Sequence, residues 1–368
     1  MSSKLKILLV SNGFYPEISP RSFRATELAM EFSRQGHDVT VITRFRNHDY
    51  KNFLSESPIC LRMWSKYRLK EVPNIGGRWT RLLARIINRV LKVLFEYPTI
   101  EDMFKLKKIL KHENGYNLLI SFAVPYPVHW GVAWSRTRKH KIAGKWIADC
   151  GDPYMGDILD TFRKPFYFKY IEMWFSRKAD FLTIPIEGAI DGYYPEFHRK
   201  IRIIPQGFNF DIETRTKKIP ENKIPTFAYA GGFIPGARDP RPFLKYLMSV
   251  TTPFRFYIYT NQPELLEPFK KTLDGNLIIL PYINRSDLLD ILSGMDFLIN
   301  FDNNTSLNSP SKLIDYAITG RPVLNITREF DFAELGHFLN GNYTNSMILP
   351  DPRVYHIESV ARQFISLL

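Results

Sequence analysis

The sequence has few cysteines and no long apolar run. Cys60 and Cys150 are the only cysteines among 368 residues, and their separation fits neither a disulfide framework nor a metal-binding motif. No stretch of 18 apolar residues occurs, so we expect no transmembrane helix, and the apolar run near the start is too short for a signal peptide. These absences predict a cytoplasmic protein. The sequence also has no internal repeat and no low-complexity tract.

Acidic residues are scarce in the first part of the chain. Residues 1–200 contain 33 lysines and arginines against 20 acids, whereas residues 201–368 contain 17 of each. The whole net charge of +13 therefore comes from the N-terminal part. A basic part beside a neutral part predicts that one domain faces an anionic surface.

The apolar pattern predicts an α/β protein with two doubly wound, Rossmann-like domains. "KLKILLVS", "RSFRATELAMEFSRQG" and "HDVTVIT" form a strand, a helix and a strand, and this rhythm continues and then restarts at "TFAYAGGF". We predict an N-terminal domain at residues 1–210, a charged linker at 211–224 and a C-terminal domain at 225–368. The last helix, in "YHIESVARQFISLL", is expected to pack back across the two halves.

Residues 62–97 interrupt the rhythm with a basic amphipathic helix. Its cations are spaced three or four residues apart and share one face, with a tryptophan near the helix start: Arg78, Trp79, Arg81, Arg85, Arg89 and Lys92. Leucines, isoleucines and valines form the other side. This pattern is typical of a helix on an anionic bilayer, and the alternative is a surface helix with a basic solvent face. Since the excess charge lies on an apolar helix rather than an aromatic groove, we expect no nucleic-acid partner.

Two C-terminal segments predict a site for a phosphorylated ligand. In "YAGGFIPGARDPRPF", Gly231 and Gly232 end a strand and allow close approach of a ligand, and Arg238 follows in the loop. In "NSPSKLIDYAITGRPV", a helix begins after a polar loop, so that its first N–H groups are available to a phosphate. The residues that we assign to this helix start are Ser309 or Ser311 as the cap, Lys312 as a cation and Asp315 as an acceptor for ribose hydroxyls. The alternative for Lys312 and Asp315 is a plain surface pair.

Three N-terminal segments follow predicted strands and are candidates for the acceptor side and for catalysis. Gly13, Arg21 and Arg24 belong to the loop and helix start after the first strand. The alternative for this segment is a plain connecting loop. The catalytic candidates are His129 in "SFAVPYPVHWG" and Asp149 and Asp152 in "KWIADCGDPYMGD". The alternatives are a structural histidine and, for Asp152, a helix cap. The spacing of the two aspartates is too weak a signal to predict a metal site.

At these segments the sequence resembles the GT-B glycosyltransferases of the family 4 type, over nearly the whole chain. "KILLVSNGFYP…RATELAMEFSRQGHDVTVIT" is similar to the opening βαβ unit, "RIIPQGFN" to the turn that ends the first domain, and "PSKLIDYAITGRPVL" to the donor-site helix. The resemblance implies a GT-B fold, in which two domains face each other across a cleft. It also implies sugar transfer from a nucleotide-sugar, usually with retention and without metal, with the donor on the C-terminal domain.

The sequence departs from this family at positions that matter for catalysis. The first acid of the paired-acid motif falls near Leu307, and Gly232 replaces the arginine of the glycine-rich strand end, leaving Arg238 as the phosphate cation. The histidine after the fifth strand is replaced within "ADCGDP", which places Asp149 or Asp152 in its neighbourhood.

The resulting prediction is a glycosyltransferase on the inner face of the cell membrane that extends a lipid-linked or envelope glycan. It uses a UDP- or GDP-sugar and needs no cofactor. Two alternatives stay open: a sugar-nucleotide 2-epimerase on the same scaffold, and an inactive scaffold or glycan-binding partner of a polysaccharide assembly complex.

Overall fold

The computed structural model describes residues 4–156, 163–210, 222–236, 238–302 and 311–368. It divides the chain into two compact units. The first unit comprises Met1–Asn209 and His356–Leu368, and the second comprises Phe210–Tyr355. The final helix thus belongs to the first unit. Most of the predicted linker, up to residue 221, lies outside the described residues.

The first unit is built on a parallel sheet of seven strands. In chain order they are β1 Lys6–Ser11, β2 Asp38–Arg44, β3 Cys60–Trp64, β4 Tyr116–Phe122, β5 Ala143–Asp149, β6 Phe181–Ile184 and β7 Ile201–Ile203. Their order across the sheet is β3-β2-β1-β4-β5-β6-β7. The chain therefore winds outward from β1 in one direction and from β4 in the other, which is the predicted doubly wound topology.

Helices cover both faces of this sheet. They are α1 Pro20–Arg34, α2 Lys51–Glu56, α3 Arg78–Phe95, α4 Glu101–Leu110, α5 Pro127–Ser135 and α6 Tyr167–Lys178, with 3₁₀ turns at Glu187–Gly192 and Pro195–Lys200. Alternate residues of β1 show why both faces need cover: Leu8 and Val10 join one apolar cluster, and Ile7 and Leu9 join another. A strand that is apolar on both faces is stable only between two layers of helices.

The second unit repeats this plan with five parallel strands. They are β8 Thr226–Ala230, β9 Arg255–Tyr259, β10 Leu277–Leu280, β11 Phe297–Phe301 and β12 Val323–Ile326, in the order β10-β9-β8-β11-β12. The described helices of this unit are α7 Arg241–Leu247, α8 Glu267–Lys270, α9 Arg285–Ser293, α10 Ser311–Thr319 and α11 Ala333–Leu339, with 3₁₀ turns at Pro263–Leu265 and Pro352–Tyr355. The last helix of the chain, α12 Ile357–Ile365, packs on α1 in the first unit.

Each sheet has one place where the winding direction reverses. It lies between β1 and β4 in the first unit and between β8 and β11 in the second. In open parallel sheets, ligands bind beyond the carboxyl ends of the strands at such a point. The candidate residues are therefore expected near these two sets of strand ends.

Candidate functional site

The turn after β8 is tight, and the Gly232 carbonyl within it accepts two hydrogen bonds. Gly231 has φ +150°, a conformation that favours glycine, and its N–H donates to the Tyr259 carbonyl at 3.0 Å. The next carbonyl, of Gly232, accepts from the Tyr229 hydroxyl at 2.7 Å and from Arg238 Nη1 at 3.3 Å. The structure thus brings three of the predicted phosphate-site residues, Gly231, Gly232 and Arg238, together.

Lys312 lies at the same place with its charge shielded. Its Nζ is buried and has no hydrogen-bond partner among the described residues, and it lies 4.6 Å from the centre of the Tyr229 ring. The pKa of Lys312 is lowered to about 7, mainly by burial and also by Arg238, while Asp302 opposes the shift. A buried amine without a hydrogen-bond partner among the described residues, near a guanidinium, is suited to an anion, and phosphate binding by Lys312 stays a prediction.

The hydroxyl of Tyr316 fixes the helix that carries Lys312. Strands β8 and β11 pair only at Phe227–Phe297 and Ala228–Leu298. Beyond these pairs, the buried Tyr316 hydroxyl accepts from the Ala230 N–H and donates to the Ile299 carbonyl, both at 3.1 Å. The Tyr316 side chain of α10 therefore takes the place of direct backbone hydrogen bonds between the ends of β8 and β11 at the switch point.

Asp315 is paired with Arg285 of α9 rather than with Lys312. Arg285 Nε and Nη2 both donate to Asp315 Oδ1, at 2.9 and 2.5 Å. Burial raises the pKa of Asp315, and Arg285 opposes the shift. The surface-pair alternative for Lys312 and Asp315 is therefore wrong, and the ribose role of Asp315 stays a prediction. Ser309 and the missing acid position Leu307 lie outside the described residues, and Ser311 is the first residue of α10.

In the first unit, Asp149 is a fully buried hub at the end of β5. Its carboxylate accepts two hydrogen bonds from Arg24, at 2.7 and 2.8 Å, and one from Thr183 Oγ1 at 2.7 Å. Arg24 is itself buried and donates to the carbonyls of Pro205 and Ile204, at 2.5 and 3.0 Å. These contacts join α1, β5, β6 and the chain after β7, which favours a structural role for the pair. Catalysis by Asp149 and acceptor binding by Arg24 stay predictions.

Arg21 and Asp152 lie close to this hub but nearer to solvent. Arg21 Nη1 is 3.3 Å from Asp149 Oδ2, and its guanidinium lies so near Gly151 that a Cβ there would be 2.1 Å from it. Asp152 is exposed, and its carbonyl accepts from the Tyr126 hydroxyl at 2.5 Å. Gly13 follows β1, where its carbonyl accepts from Ser11 Oγ at 2.6 Å. Of the predicted catalytic groups, Asp152 is the one that solvent reaches.

His129 is fully buried inside the first unit. Its Nδ1 lies 2.8 Å from Ser121 Oγ, and its Nε2 lies 3.6 Å from Cys150 Sγ. Trp146 Nε1 donates to the same Ser121 oxygen, and this leaves the serine hydroxyl able to donate to Nδ1 when the ring proton is on Nε2. Burial lowers the pKa of His129 to about 3. The geometry fits a neutral core histidine, and its catalytic role stays a prediction without a contact that supports it.

Helix α3 presents the predicted basic and apolar faces to solvent. Ala84 is its one buried residue, and Asn88 ties it to the chain by hydrogen bonds with the N–H and carbonyl of Val72, at 2.8 and 2.9 Å. Trp79 is 76% exposed. The other exposed apolar side chains are Leu82, Leu83, Ile86, Ile87, Val90, Leu94 and Phe95, and the exposed cations are Arg78, Arg81, Arg85 and Lys92, with Arg89 partly buried.

Several residues at these sites were not found from the sequence. Tyr229 and Tyr316 had the appearance of core aromatics, and Arg285 of an ordinary helix-start residue. At the start of α6, Phe166 and Tyr170 are exposed beside the end of α3, where the Tyr167 hydroxyl donates to the Leu94 carbonyl. A run of aromatics at "KPFYFKY" was the available signal for this extension of the apolar surface.

Comparison with solved structures shows the fold that this chain shares. The lipopolysaccharide outer core galactosyltransferase WaaB is 12% identical with a TM-score of 0.58, covering 99% of both chains. A glycosyltransferase from Rickettsia africae is 12% identical with a TM-score of 0.60, covering 100% of this chain and 98% of its own. Anabaena HepE, in complex with UDP and glucose, is 10% identical with a TM-score of 0.53, covering 98% of both. The predicted GT-B fold class is confirmed.

Neither a family model nor a curated protein sequence matches the chain. Within the described ranges, no helix has the length and apolarity needed to cross a bilayer, and no three His, Cys, Asp or Glu side chains are grouped as metal ligands.

Proposed function

We propose that the protein is a glycosyltransferase that moves a sugar from a nucleotide-sugar to a lipid-linked or envelope glycan at the inner face of the cell membrane. The observation that carries the proposal is the buried Lys312 ammonium, which has no hydrogen-bond partner among the described residues and lies beside Gly232 and Arg238 at the switch point of the second sheet. The fold shared with WaaB, the Rickettsia glycosyltransferase and HepE supports it.

The donor diphosphate is proposed to bind between the Gly231–Gly232 turn and the start of α10. Arg238 supplies a planar fork of N–H donors, and Lys312 supplies a second charge in a shielded position. Both cations stabilise the diphosphate as it leaves the sugar, so that the proposed transfer needs no metal. Asp315, oriented by Arg285, lies one turn further along α10 and keeps Oδ2 for a ribose hydroxyl. Retention of configuration is part of the proposal through the family resemblance.

The acceptor is proposed to bind to the first unit, which faces the membrane. The exposed apolar side of α3 continues into Phe166 and Tyr170, and the helix cations flank it. Such a surface buries apolar side chains among acyl chains while its cations meet anionic headgroups. The same surface favours a transferase with a lipid-linked acceptor over an epimerase that acts on a free nucleotide-sugar.

A nucleotide screen tests the proposal. Thermal unfolding is followed with UDP, GDP, dTDP and CMP, and we expect UDP or GDP to raise the melting temperature because a ligand of the folded state stabilises it. HepE in complex with UDP makes UDP the first choice. Lys312→Met and Arg238→Ala are each expected to abolish the shift, and the exposed Arg353→Ala in the same unit serves as the control. A shift that persists in both variants overturns the donor site.

Turnover separates the remaining functions. Purified protein with the stabilising nucleotide-sugar is assayed with and without extracted membrane lipids. Sugar transfer that requires lipid supports the transferase, conversion of the free nucleotide-sugar without lipid indicates the epimerase, and nucleotide binding without turnover indicates an inactive scaffold.

A further inference from the structure

Arg44, at the end of β2, has a guanidinium that makes no hydrogen bond or ion pair within the described part of the chain. Its Nε is shielded from solvent and unpartnered, and the group lies 4.9 Å from the centre of the Tyr67 ring. Three other arginines of this unit have partners: Arg24 and Arg21 contact Asp149, and Arg46 pairs with Glu17. A half-buried arginine held over a ring with its donors unused is unusual, because buried polar groups are normally paired.

The ring beneath Arg44 is fixed by a buried carboxylate. Asp102 is fully buried and accepts hydrogen bonds from the Tyr67 hydroxyl at 2.8 Å, Asn12 Nδ2 at 2.7 Å and Trp64 Nε1 at 3.0 Å. These three donors occupy its oxygens, so its charge acts on Arg44 from a distance without a direct contact. Arg44 is therefore positioned by a rigid platform rather than by a salt bridge.

The platform stands where an open parallel sheet binds ligands. Asn12, Arg44 and Trp64 lie at the carboxyl ends of β1, β2 and β3, and β1 borders the switch point of the first sheet. The Lys105 ammonium lies 5.1 Å from the centre of the Tyr67 ring, which adds a second cation, although it is paired with Glu101. The Lys105 charge is balanced by Glu101, and Asp102 opposes Arg44, so the suitability for an anion comes from the planar guanidinium fork, which matches phosphoryl oxygens.

We propose that Arg44 is the centre of a phosphoryl-binding subsite in the first unit. The subsite binds the diphosphate that joins a lipid carrier to the acceptor glycan. This assignment of the ligand rests on the proposed function. The subsite adds a residue to the acceptor side expected from the sequence, because Arg24 already donates to Asp149 whereas Arg44 keeps its donors for a ligand.

The first experiment measures inorganic pyrophosphate binding by calorimetry in an Arg238→Ala/Lys312→Met background, which removes the candidate donor site. Adding Arg44→Met is expected to weaken binding at least tenfold. The matched control is Arg202→Met, because Arg202 also lies over a ring, 5.1 Å from the centre of Phe181, but its Nη1 already donates to the Arg199 and Ile201 carbonyls. We expect it to change binding less than twofold.

Arg44→Lys keeps the positive charge but lacks the planar guanidinium group. It provides a second test of the subsite if Arg44→Met does not fold. With a native near-ultraviolet spectrum, it is expected to weaken pyrophosphate binding several-fold. Unchanged pyrophosphate binding in both Arg44 variants overturns the subsite, as does the absence of binding in the background protein.

A second arm separates the two sources of phosphoryl groups. Binding of a short soluble prenyl diphosphate is compared with sedimentation on vesicles of phosphatidylglycerol and phosphatidylcholine. We expect Arg44→Met to weaken binding of the prenyl diphosphate and to leave sedimentation on the vesicles unchanged. If only vesicle binding falls, Arg44 belongs to the membrane surface and the subsite is rejected. The nucleotide screen stays independent, since UDP stabilisation depends on Lys312 and pyrophosphate binding in this background on Arg44.

Discussion

Lys312 and Tyr229 form a pair in which the ammonium nitrogen lies 4.6 Å from the centre of the phenol ring. The ring provides a cation–π contact but no hydrogen bond, and the Tyr229 hydroxyl is used by the Gly232 carbonyl. The ammonium is therefore held in place while its three donors stay available. This arrangement fixes the position of the amine in the candidate donor site before any ligand arrives.

The first prediction concerns the pH dependence of UDP binding. Because burial lowers the pKa of Lys312 to about 7, its side chain loses its proton as the pH rises above 7 in the free protein. Binding of a diphosphate then requires proton uptake, so that UDP affinity should fall by up to about tenfold per pH unit between pH 7 and 9. Calorimetry over this range measures the slope. Lys312→Met should bind more weakly at pH 7 and show no slope; an affinity that rises with pH in the unmodified protein contradicts the assignment.

The second prediction concerns the hydroxyl of Tyr316. Tyr316→Phe leaves the Ala230 N–H and the Ile299 carbonyl without their partner, which should lower the free energy of unfolding by about 1–3 kcal/mol. It should also weaken UDP binding, because the start of α10 is no longer fixed to the strand ends. Urea unfolding and calorimetry measure the two effects. The control is Tyr343→Phe, since the Tyr343 hydroxyl makes no side-chain hydrogen bond in the described ranges; equal losses in both variants would speak against the bridging role.

The sheets and helices were predictable because they depend on local patterns. Strands such as "KILLVS" are apolar on both faces, and the glycine pair that ends β8 is a local turn signal. The spacing of Arg78 to Lys92 likewise predicted an amphipathic helix. In each case the information lies within a few neighbouring residues.

Partners distant in sequence were not predictable in this way. Arg24 and Asp149 are 125 positions apart, and a helical arginine is normally exposed, so nothing local indicated that the pair is buried. Asp315 sits three residues after Lys312, which suggested a helix pair, yet α9 brings Arg285 to it instead. The unused donors of Arg44 could be recognised only once its surroundings were known.

The third prediction tests the hub around Asp149. Asp149→Asn removes the charge that balances buried Arg24, and it should lower the free energy of unfolding by about 3–5 kcal/mol. Arg24→Met/Asp149→Asn removes both charges together and should cost clearly less than the sum of the costs of Arg24→Met and Asp149→Asn. Denaturant unfolding of the single and double variants gives this coupling. Arg21→Ala is the control, because its contact with Asp149 is longer and partly exposed. Full stability with lost activity in Asp149→Asn would instead support the catalytic prediction.

The fourth prediction concerns α3 and vesicles. Leu83→Asp/Ile86→Asp places two charges on the exposed apolar side, and it should reduce sedimentation on phosphatidylglycerol vesicles at least tenfold. The stability of the protein should change little, since both side chains are at least half exposed. Ile348→Asp is the matched control, because Ile348 is 94% exposed in the second unit. Raised salt should weaken binding of the unmodified protein through its helix cations. Unchanged sedimentation of the double variant would make α3 an ordinary surface helix.

The last prediction concerns Glu172 of α6, a fully buried carboxyl beneath Tyr154. Burial raises its pKa to about 7, opposed by the backbone of Met155 and Tyr154 and by Lys164. Between pH 4.5 and 7 the folded protein therefore holds a proton that the unfolded chain has released, so this group makes stability fall as the pH rises, by at most about 1.4 kcal/mol per pH unit.

Glu172→Gln removes this contribution without changing the size of the side chain. The free energy of unfolding of this variant, relative to that of the unmodified protein in urea titrations, should rise from pH 5 to about 7 and level off by pH 8. The comparison cancels other titrating groups such as Asp102. Glu187→Gln, at an exposed position of the same unit, should show a constant difference over this range. A constant difference for Glu172→Gln as well would mean that the carboxyl is already ionised at pH 5, and that its backbone contacts outweigh the cost of burial.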